Sequence, residues 1–392
     1  MKTARQETPL TAVIEDVIRS SGRTGISADG NELSAIPFHQ YMTLCLYHPE
    51  FGYYRTGNSR IGREGDFYTS AFIGDVMGVQ LASRLSRLAF ELFPLDDTIQ
   101  IVDWGGGTGR LSRQMMDAWY SPNEGAASVD RCGRTFTATI IEGNPEHRKA
   151  AERELEPFIR SGKARVIDER EAESLFHSEH PIFVVANELL DAFPVHRIVN
   201  KSGKVMEWGV AWEESKRLPV PCLMKEVNPA LEEWMDEQGI KLLDGQTIEV
   251  NLDGASWASG LAGRLQRSLL ILIDYGDEAE ELTAPHRMDG TLLCYREHRA
   301  HNDPYRDPGE QDLTAHVNFS HIRRSVEGNG GKEIWYGTQK RFLLEAGILE
   351  QLSAHSHEDP FHPVVRRNRA IRQLLLSDGM SELFKVQIFV IE

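Results

Sequence analysis

From residue 100 onward, short apolar runs alternate with stretches of helical periodicity. The apolar runs have the length of strands, and helical stretches lie between them around residues 111–119 and 146–159. Apolar strands that alternate with helices indicate a parallel sheet covered by helices on both faces. The pattern predicts an α/β fold whose strands are residues 100–103, 137–142, 164–168, 182–187 and 269–274.

The first hundred residues have a different pattern. Thr8 followed by Pro9 predicts the start of a short helix, because threonine caps helices and proline fits the first helical position. Residues 36–74 are rich in aromatic side chains and glycine but have no clear period, and we interpret them as a structured lid. A longer helix is predicted from Asp75 onward, because leucines recur there on one stripe.

A long insertion separates the fourth predicted strand from the fifth. Residues 195–213 indicate a hairpin of short strands, and residues 214–267 are irregular apart from one helix near residues 230–237. We expect the insertion to lie over the carboxyl edge of the sheet. The pattern therefore divides the chain into an N-terminal segment 1–98, a first core part 99–194, the insertion 195–267 and a second core part 268–392.

The last part of the chain returns to regular elements. A helix is predicted between Thr338, as its N-cap, and Gly347, where it ends. Another helix is predicted near residues 364–376, and the apolar residues 383–391 predict a strand that closes the sheet.

Length and composition limit the class of protein. A chain of 392 residues is long for one domain and favours two lobes or one domain with large insertions. No apolar run approaches the roughly 20 residues of a membrane span, and the first residues lack the apolar core of a signal peptide, so we expect no membrane association. The 4 cysteines are widely spaced without a C-x-x-C pattern. Their spacing argues against zinc and against disulfides, and favours the cytoplasm.

The charge of the chain bears on its partners. With 59 acidic and 43 basic residues, the formal net charge is −16 at pH 7. Because nucleic-acid binding draws on clustered basic charge, we expect no nucleic-acid partner. The same charge would attract a cationic substrate, although it is equally well interpreted as an aid to solubility alone.

The most specific local pattern is the glycine turn that follows the first strand. Asp103 ends the strand, and Gly105, Gly107 and Gly109 follow at every second position. Glycine lets a backbone approach a bound nucleoside closely. The G-x-G-x-G spacing differs from the G-x-G-x-x-G of dinucleotide folds, because Arg110 stands in place of the third glycine. This spacing, with an acid before it, is typical of methyltransferases that use S-adenosylmethionine (SAM), although a purely structural turn remains an alternative.

Polar residues end the other predicted strands, and in open α/β sheets ligands bind at that edge. Glu142 ends the second strand, where an acid can accept hydrogen bonds from ribose hydroxyls. Asp168 ends the third strand and could contact an adenine amino group, or it could be a solvated loop acid.

Residues 187–194 place an amide and two acids directly after the fourth strand. Asn187, Glu188 and Asp191 would orient either the methyl acceptor or the amino-acid part of SAM. A pair of carboxylates can bind a guanidinium bidentately and ease its loss of a proton, so we predict a catalytic role for Glu188 and Asp191. Alternatively, Asn187 caps a following helix.

Three further residues are weaker candidates. Asp66 and Ser70 could close over the ligand from the predicted lid, and His316 could be catalytic, although a lone histidine is more often structural. The histidines form neither H-x-H nor H-E-x-x-H patterns, so we predict no metal site.

Several longer motifs, in one order along the chain, resemble the MidA-like family of SAM-dependent methyltransferases. The motifs that carry this resemblance are residues 38–42, 46–49, 52–54, 65–70, 103–109, 187–194, 274–276, 308–317 and 383–386. The chain departs from the family pattern in three places: the acid before the glycine turn is Asp103, residues 142–145 replace the usual sequence after the second strand, and Asn318 replaces an aspartate.

The resemblance implies a Rossmann-like class I methyltransferase sheet, SAM as the cofactor and a protein acceptor. The family includes a mitochondrial complex I assembly factor that methylates arginine, so the resemblance implies a cationic or arginine-bearing segment as the acceptor. Two other functions stay open: a non-catalytic SAM-binding assembly protein on the same scaffold, and a nicotinamide-dependent oxidoreductase, which the glycine spacing disfavours. The sequence does not predict an oligomeric state.

Overall fold

The computed structural model describes residues 7–56, 74–120, 129–215, 217–297, 299–356, 359, 361–376 and 380–392. The strands in these residues are β1 (Thr24–Ser27), β2 (Glu32–Pro37), β3 (Thr98–Trp104), β4 (Thr135–Ile141), β5 (Ala164–Ile167), β6 (Ile182–Asn187), β7 (His196–Lys201), β8 (Lys204–Glu213), β9 (Leu218–Met224), β10 (Thr247–Val250), β11 (Ser268–Asp277), β12 (Leu293–Arg296), β13 (Arg299–His301), β14 (Asp312–Thr314), β15 (Val317–Asn318), β16 (Gly331–Thr338) and β17 (Phe384–Ile391). The helices are α1 (Pro9–Ser20), α2 (Phe38–Tyr47), α3 (Val76–Leu92), α4 (Arg110–Tyr120), α5 (Pro145–Glu154), α6 (Glu156–Arg160), α7 (Pro229–Gln238), α8 (Leu252–Ala262), α9 (Ala279–Leu282), α10 (Phe319–Glu327), α11 (Gln339–Glu345), α12 (Pro363–Leu376) and α13 (Met380–Leu383).

The largest sheet has the strand order β16-β17-β11-β6-β3-β4-β5, with β15 beside β11. Strands β5, β4, β3, β6 and β11 run parallel, and β17 runs antiparallel to both of its neighbours. These parallel strands are the five that the sequence predicted, so the α/β, Rossmann-like fold is confirmed. The chain leaves β3 towards β4 and β5 and then returns to β6 on the other side. The carboxyl end of β3 is thus the point where the strand order reverses, and ligands of such sheets bind there.

Alternate residues of the central strands enter two different cores. Phe183 and Val185 of β6 pack on the face that α3 and α4 cover. Val184 and Ala186 pack on the opposite face, together with residues of α8 and α10. Burying a large apolar side chain contributes roughly 1.5–3 kcal/mol. Burial on both faces explains why the central strands are continuous apolar runs.

A second sheet joins the start of the chain to the insertion. Its order is β10-β7-β8-β2-β1-β9, and β8 also pairs with β9. Strands β8, β2, β1 and β9 therefore close into a ring, which encloses a small core of Ala35, Ala211, Cys222 and Met224. Strands from the N-terminal segment and strands from the insertion thus build one sheet, which the sequence pattern did not predict.

Residues 214–267 are more regular than predicted, and the expectation of a single helix there was wrong. Strand β9 was missed because Pro219 and Pro221 argue against a strand, yet both are tolerated here. Helix α8 was missed because its sequence is rich in glycine, alanine and serine. Its small residues Ala255 and Ala258 are buried in the core that α8 shares with α10.

The N-terminal segment contributes the helices of a fourth core. Leu10 and Ile14 of α1 pack with Phe38 and Tyr41 of α2. Helix α2 begins the segment that the sequence suggested to be a lid, and it starts directly after Pro37. The division of the chain at residues 98, 194 and 267, and the position of the insertion over the sheet edge, stay predictions.

Two global expectations concern the membrane and the cysteines. In the described part of the chain, we find no helix with the length and apolar character needed to cross a bilayer. All four cysteines are free thiols, and three of them are buried.

Candidate active site

The glycine turn is fastened to the neighbouring strand. The backbone N–H groups of Gly105 and Gly106 donate to the carbonyl of Ile141 over 2.9 and 3.2 Å. Gly105 has φ +72°, and a Cβ there would lie 2.8 Å from Cδ1 of Leu189. Gly109 has φ +76°, and its Cβ would lie 3.0 Å from Cβ of Ala151. Larger residues would strain the backbone and move these neighbours. Residues 105–108 of this turn form the floor of a cleft.

The cleft lies at the carboxyl ends of β3, β4 and β6. The lining comes from the turn after β3 with the start of α4, from the loops after β4, β5 and β6 with the start of α5, and from the N-terminal segment around α2. Its lining residues are Tyr47, Tyr54, Arg55, Asp103, Gly105, Gly106, Gly107, Thr108, Arg110, Leu111, Glu142, Gly143, Asn144, His147, Glu169, Asn187, Glu188, Leu189 and Ala192. Seven of the twelve residues predicted for the site, namely Asp103, Gly105, Gly107, Glu142, Asn187, Glu188 and Gly109 of the turn itself, thus lie in or directly beside one cleft, and their roles stay predictions.

Asp103 is 2% exposed and lies beneath the turn. Its Oδ2 accepts a hydrogen bond of 2.7 Å from the hydroxyl of Ser112 in α4. Burial raises the pKa of Asp103 to about 6. The carboxyl group thus ties the end of β3 to the first part of α4, in addition to facing the cleft.

Glu142 faces the cleft from the end of β4. Its two carboxylate oxygens accept the backbone N–H groups of Gly107, at 2.9 Å, and Asn144, at 2.6 Å. Burial raises its pKa, and these two N–H groups oppose that rise. The carboxylate is therefore fixed in orientation, and it keeps lone pairs that can accept the hydroxyls of a ribose.

Asp168 does not line this cleft. Its carboxylate accepts the backbone N–H of Arg170 at 3.0 Å, which caps a short 3-10 helix, and pairs with Arg148 at 2.9 Å. That N–H is the main reason why the pKa of Asp168 is lowered. The neighbouring Glu169 lines the cleft instead, so the adenine contact predicted for Asp168 is not favoured by its placement.

The loop after β6 is held in an unusual conformation. Glu188 has φ +54°, which a non-glycine residue adopts only where its surroundings impose it. Its backbone N–H donates to the carbonyl of Ile273 at 2.8 Å, and its carboxylate accepts hydrogen bonds from Asn187 at 3.2 Å and from the hydroxyl of Tyr275 at 3.4 Å. Asn187 caps no helix here, because the following 3-10 turn has Leu189 at its N-cap.

Asp274, at the carboxyl half of β11, anchors the same loop. It is 1% exposed. Its Oδ2 accepts the backbone N–H groups of Leu190, at 2.8 Å, and Asp191, at 3.2 Å. The sequence marked Asp274 as a strand end, but this contact over more than eighty residues gave no local signal.

Four carboxyl groups lie close enough at this loop for the charges of the others to act on Asp191, and we call Glu188, Asp191, Asp274 and Asp312 the acidic cluster. Asp191 is 5% exposed. Burial raises its pKa well above the ordinary value, and the charges of Asp274, Asp312 and Glu188 raise it further. Asp312, from β14, accepts a hydrogen bond of 2.7 Å from the hydroxyl of Tyr54. The cluster is thus a place where a cation would relieve both repulsion and desolvation.

Of the three weaker candidates, only His316 lies among the residues that the structure describes. His316 lies outside the lining of the cleft, and the backbone N–H of His316 donates to Thr291 at 3.1 Å. Burial lowers the pKa of His316 to about 4, so its imidazole is neutral at pH 7. Its predicted catalytic role is therefore not favoured. Asp66 and Ser70 fall outside the residues that the structure describes.

The cleft has features that fit the predicted cofactor. His147, 6% exposed, and Asn187 both line it. Nε2 of His147 and Oδ1 of Asn187 are buried with no hydrogen-bond partner among the described residues. Buried polar atoms normally find partners, so a bound polar ligand is expected to supply them. Together with the Glu142 carboxylate and the glycine floor, they suit the ribose and amino-acid parts of SAM.

The sequence predicts no metal site. Among the described side chains, we find no group of three or more histidine, cysteine or acidic residues arranged to hold a metal ion.

Known proteins are similar to this chain in sequence and in fold. A family model for SAM-dependent methyltransferases matches residues 76–336. The mitochondrial protein arginine methyltransferase NDUFAF7 homolog of Drosophila melanogaster is 26% identical over 357 residues, which cover 82% of this chain and 74% of that protein. The mitochondrial protein arginine methyltransferase NDUFAF7 of Xenopus laevis is 25% identical over 340 residues, which cover 80% and 71% of the two chains.

A solved structure shows the same architecture. A COG1565 superfamily member from Burkholderia thailandensis, bound to S-adenosyl-homocysteine, is 26% identical with a TM-score of 0.82, and the match covers 100% of this chain and 96% of that chain. The family model spans well over half of the residues, and the cleft has the features that SAM requires. The chain therefore belongs to the family of SAM-dependent methyltransferases, and SAM is its cofactor.

Proposed function

We propose that this methyltransferase transfers the methyl group to an arginine side chain of a protein. The observation that carries the proposal is the acidic cluster, which adjoins the cleft at the loop after β6. Relatives at about 25% identity are named protein arginine methyltransferases, which supports the same acceptor. A guanidinium is always charged near neutral pH and pairs with carboxylates through two parallel hydrogen bonds.

The residues have separate roles in the proposal. Glu142 and Gly107 hold the ribose end, and Asn187 holds the amino-acid end of SAM, which supplies a methyl group on a positively charged sulfur. Glu188, which lines the cleft, receives the guanidinium and aims one nitrogen along the line of transfer. Positioning of this kind accounts for much of the rate of such a displacement.

Proton loss completes the proposed reaction. When the nitrogen forms its bond to the methyl carbon, the bonding pair of the carbon–sulfur bond stays on sulfur, and the nitrogen then releases a proton. A carboxylate of the acidic cluster accepts it. Glu188 is the acceptor that we propose, because it belongs to the cluster and lines the cleft.

The proposal is tested with labelled SAM and cell lysate. The purified chain and SAM with a tritiated methyl group are incubated with lysate, and the labelled residue is identified by mass spectrometry. We expect methylarginine. We expect Glu188→Gln to lower transfer by about 100-fold or more while the dissociation constant of SAM changes by less than about threefold, because the acceptor and not the cofactor is lost.

The control and the contrary results are equally specific. Glu233→Gln, an exposed residue on α7, should leave transfer unchanged. Label on a residue other than arginine would contradict the arginine acceptor. Saturable SAM binding with no transfer into any protein would favour the alternative of a non-catalytic SAM-binding assembly protein.

A further inference from the structure

One wall of the cleft comes from the N-terminal segment. After α2, the chain turns back on itself, and the N–H groups of Tyr53 and Tyr54 donate to the carbonyls of Cys45 and Leu46, each over 2.9 Å. This turn carries Arg55 to the cleft, which Tyr47, Tyr54 and Arg55 line from that side. The opposite wall consists of the loops that follow the parallel strands.

Arg55 bridges the two walls. Its Nη1 donates to the carbonyl of Gly143 over 3.3 Å, and its Nη2 lies 3.6 Å from a carboxylate oxygen of Glu169. The guanidinium also lies over the ring of Tyr47, 5.9 Å from its centroid. A Cβ at position 143 would lie 2.8 Å from Nη1 of Arg55, so the absence of a side chain at Gly143 allows this approach.

The backbone beside Arg55 is fastened to the same loop. Nδ2 of Asn144 donates to the carbonyl of Tyr54 over 3.0 Å, while Oδ1 of Asn144 accepts the N–H of Glu146 and caps α5. The position of Arg55 is therefore set by the loop that also presents Glu142. Its charge matters there as well: burial and, to a smaller extent, the charge of Glu169 raise the pKa of Glu142, and the positive charge of Arg55 opposes this rise.

The contacts of Arg55 are weak enough to break and form again. The Arg55 side chain is 32% exposed and that of Glu169 is 51% exposed, and ion pairs at exposed positions are individually weak. The contacts lie at the end of the cleft next to Glu142, where the nucleoside part of SAM is expected. A ligand that is enclosed there has to pass between the two walls.

We propose that Arg55 is a cofactor-retaining residue: its contacts with Gly143 and Glu169 close the nucleoside end of the cleft, and the cofactor leaves when they break. The proposal depends on SAM binding and is independent of the acceptor. A finding that arginine is not methylated would therefore not contradict the role of Arg55. Equally, a finding that Arg55 does not retain the cofactor would not contradict arginine as the acceptor.

The test measures the dissociation of S-adenosyl-homocysteine. The complex of the full chain is mixed with excess SAM in a stopped-flow fluorimeter, and the equilibrium constant is measured by calorimetry. We expect Arg55→Ala to raise the dissociation rate by about tenfold and to change the association rate by less than about threefold, because a closing contact acts mainly after binding. The dissociation rate of Arg55→Lys should lie between those of the unaltered protein and Arg55→Ala.

A double-mutant cycle separates this role from a merely structural one. Glu169→Gln removes the other partner, and the combined variant should dissociate no faster than Arg55→Ala alone, because both changes break one contact. Arg153→Ala, an exposed arginine on α5 outside the cleft, is the control and should match the unaltered protein. An unchanged dissociation rate in Arg55→Ala, or fully additive effects of the two substitutions, would overturn the proposal.

Discussion

At the scale of single residues, the cleft holds buried polar atoms for which the described part of the chain supplies no hydrogen-bond partner. Nε2 of His147 has no hydrogen-bond partner among the described residues, and the side chain lies at the N-terminal turn of α5. Burial lowers the pKa of His147, so the ring is neutral and offers one donor and one acceptor. Such an atom costs free energy until a ligand satisfies it.

This feature gives a residue-scale prediction. His147→Phe keeps the ring but removes the polar nitrogens, so we expect SAM to bind about tenfold more weakly, which corresponds to one lost hydrogen bond. The melting temperature should stay the same or rise slightly. Titration calorimetry measures the affinity. His321→Phe, a buried histidine of α10 away from the cleft, is the control, and an unchanged affinity in His147→Phe would show that Nε2 does not contact SAM.

Single residues of the site were predictable from the sequence only where their signal is local. The sequence predicted Glu142 and the glycine turn, because their signals lie within a few positions of a strand end. It missed the contact of Tyr54 with Asp312, which joins residues 258 positions apart. It also missed that Asp168 caps a 3-10 helix. The sequence around a carboxylate at a strand end is the same whether the carboxylate binds a ligand or a backbone N–H.

At the scale of elements, β11 positions the loop that follows β6. Both N–H groups at the start of the 3-10 turn Leu190–Ala192 donate to one oxygen of Asp274. The backbone N–H of Tyr275 donates to the other oxygen at 2.8 Å. The loop that carries Glu188 and Asp191 is thus held by a strand whose own residues do not line the cleft.

The corresponding prediction concerns Asp274→Asn. An amide cannot accept hydrogen bonds at both of its ends, so either the two N–H groups of the loop or the N–H of Tyr275 face an NH2 group instead of an oxygen, and the anchor is disturbed. We expect the rate constant of methyl transfer to fall by about tenfold to 100-fold, because Glu188 and Asp191 shift, while SAM affinity changes by less than about threefold. Single-turnover kinetics measures the rate constant of methyl transfer, and calorimetry measures the SAM affinity. Asp244→Asn, which disturbs a carboxylate that accepts the N–H of Ser202 in the distant hairpin, is the control, and equal losses in both variants would contradict the positioning role.

Elements were predictable where local pattern and tertiary structure agree. The parallel strands were found because they are buried on both faces. Helix α8 was missed because small residues suit its close packing against α10 and weaken its local helical signal. Strand β9 was missed because its place in the ring depends on partners from β1, which lie about two hundred positions earlier.

At the scale of the whole molecule, stability depends on pH through its buried histidines. His316 has an ordinary pKa of 6.5, which burial and the charge of Arg287 lower to about 4 in the folded chain. Between these values the unfolded chain binds a proton that the folded chain does not. The free energy of unfolding therefore falls as the pH falls from about 6.5 to about 4.

His316→Gln removes this dependence. We expect the loss of stability between pH 7 and pH 4 to be smaller in the variant by about 1–3 kcal/mol. Asp103, whose pKa burial raises to about 6, acts in the opposite direction, so variant and unaltered protein are compared at each pH by denaturant titration. His180→Gln, at an exposed position, is the control. Parallel pH profiles for His316→Gln and the unaltered protein would refute the prediction.

The closed ring of β8, β2, β1 and β9 has a consequence for synthesis. Its first two strands are made by residue 37 and its last by residue 224. A ribosome that adds about 5–20 residues per second leaves β1 and β2 without these partners for roughly ten to forty seconds. Through that interval the exposed strand edges are open to other chains, so a slowly translated message should yield more aggregate than a rapidly translated one.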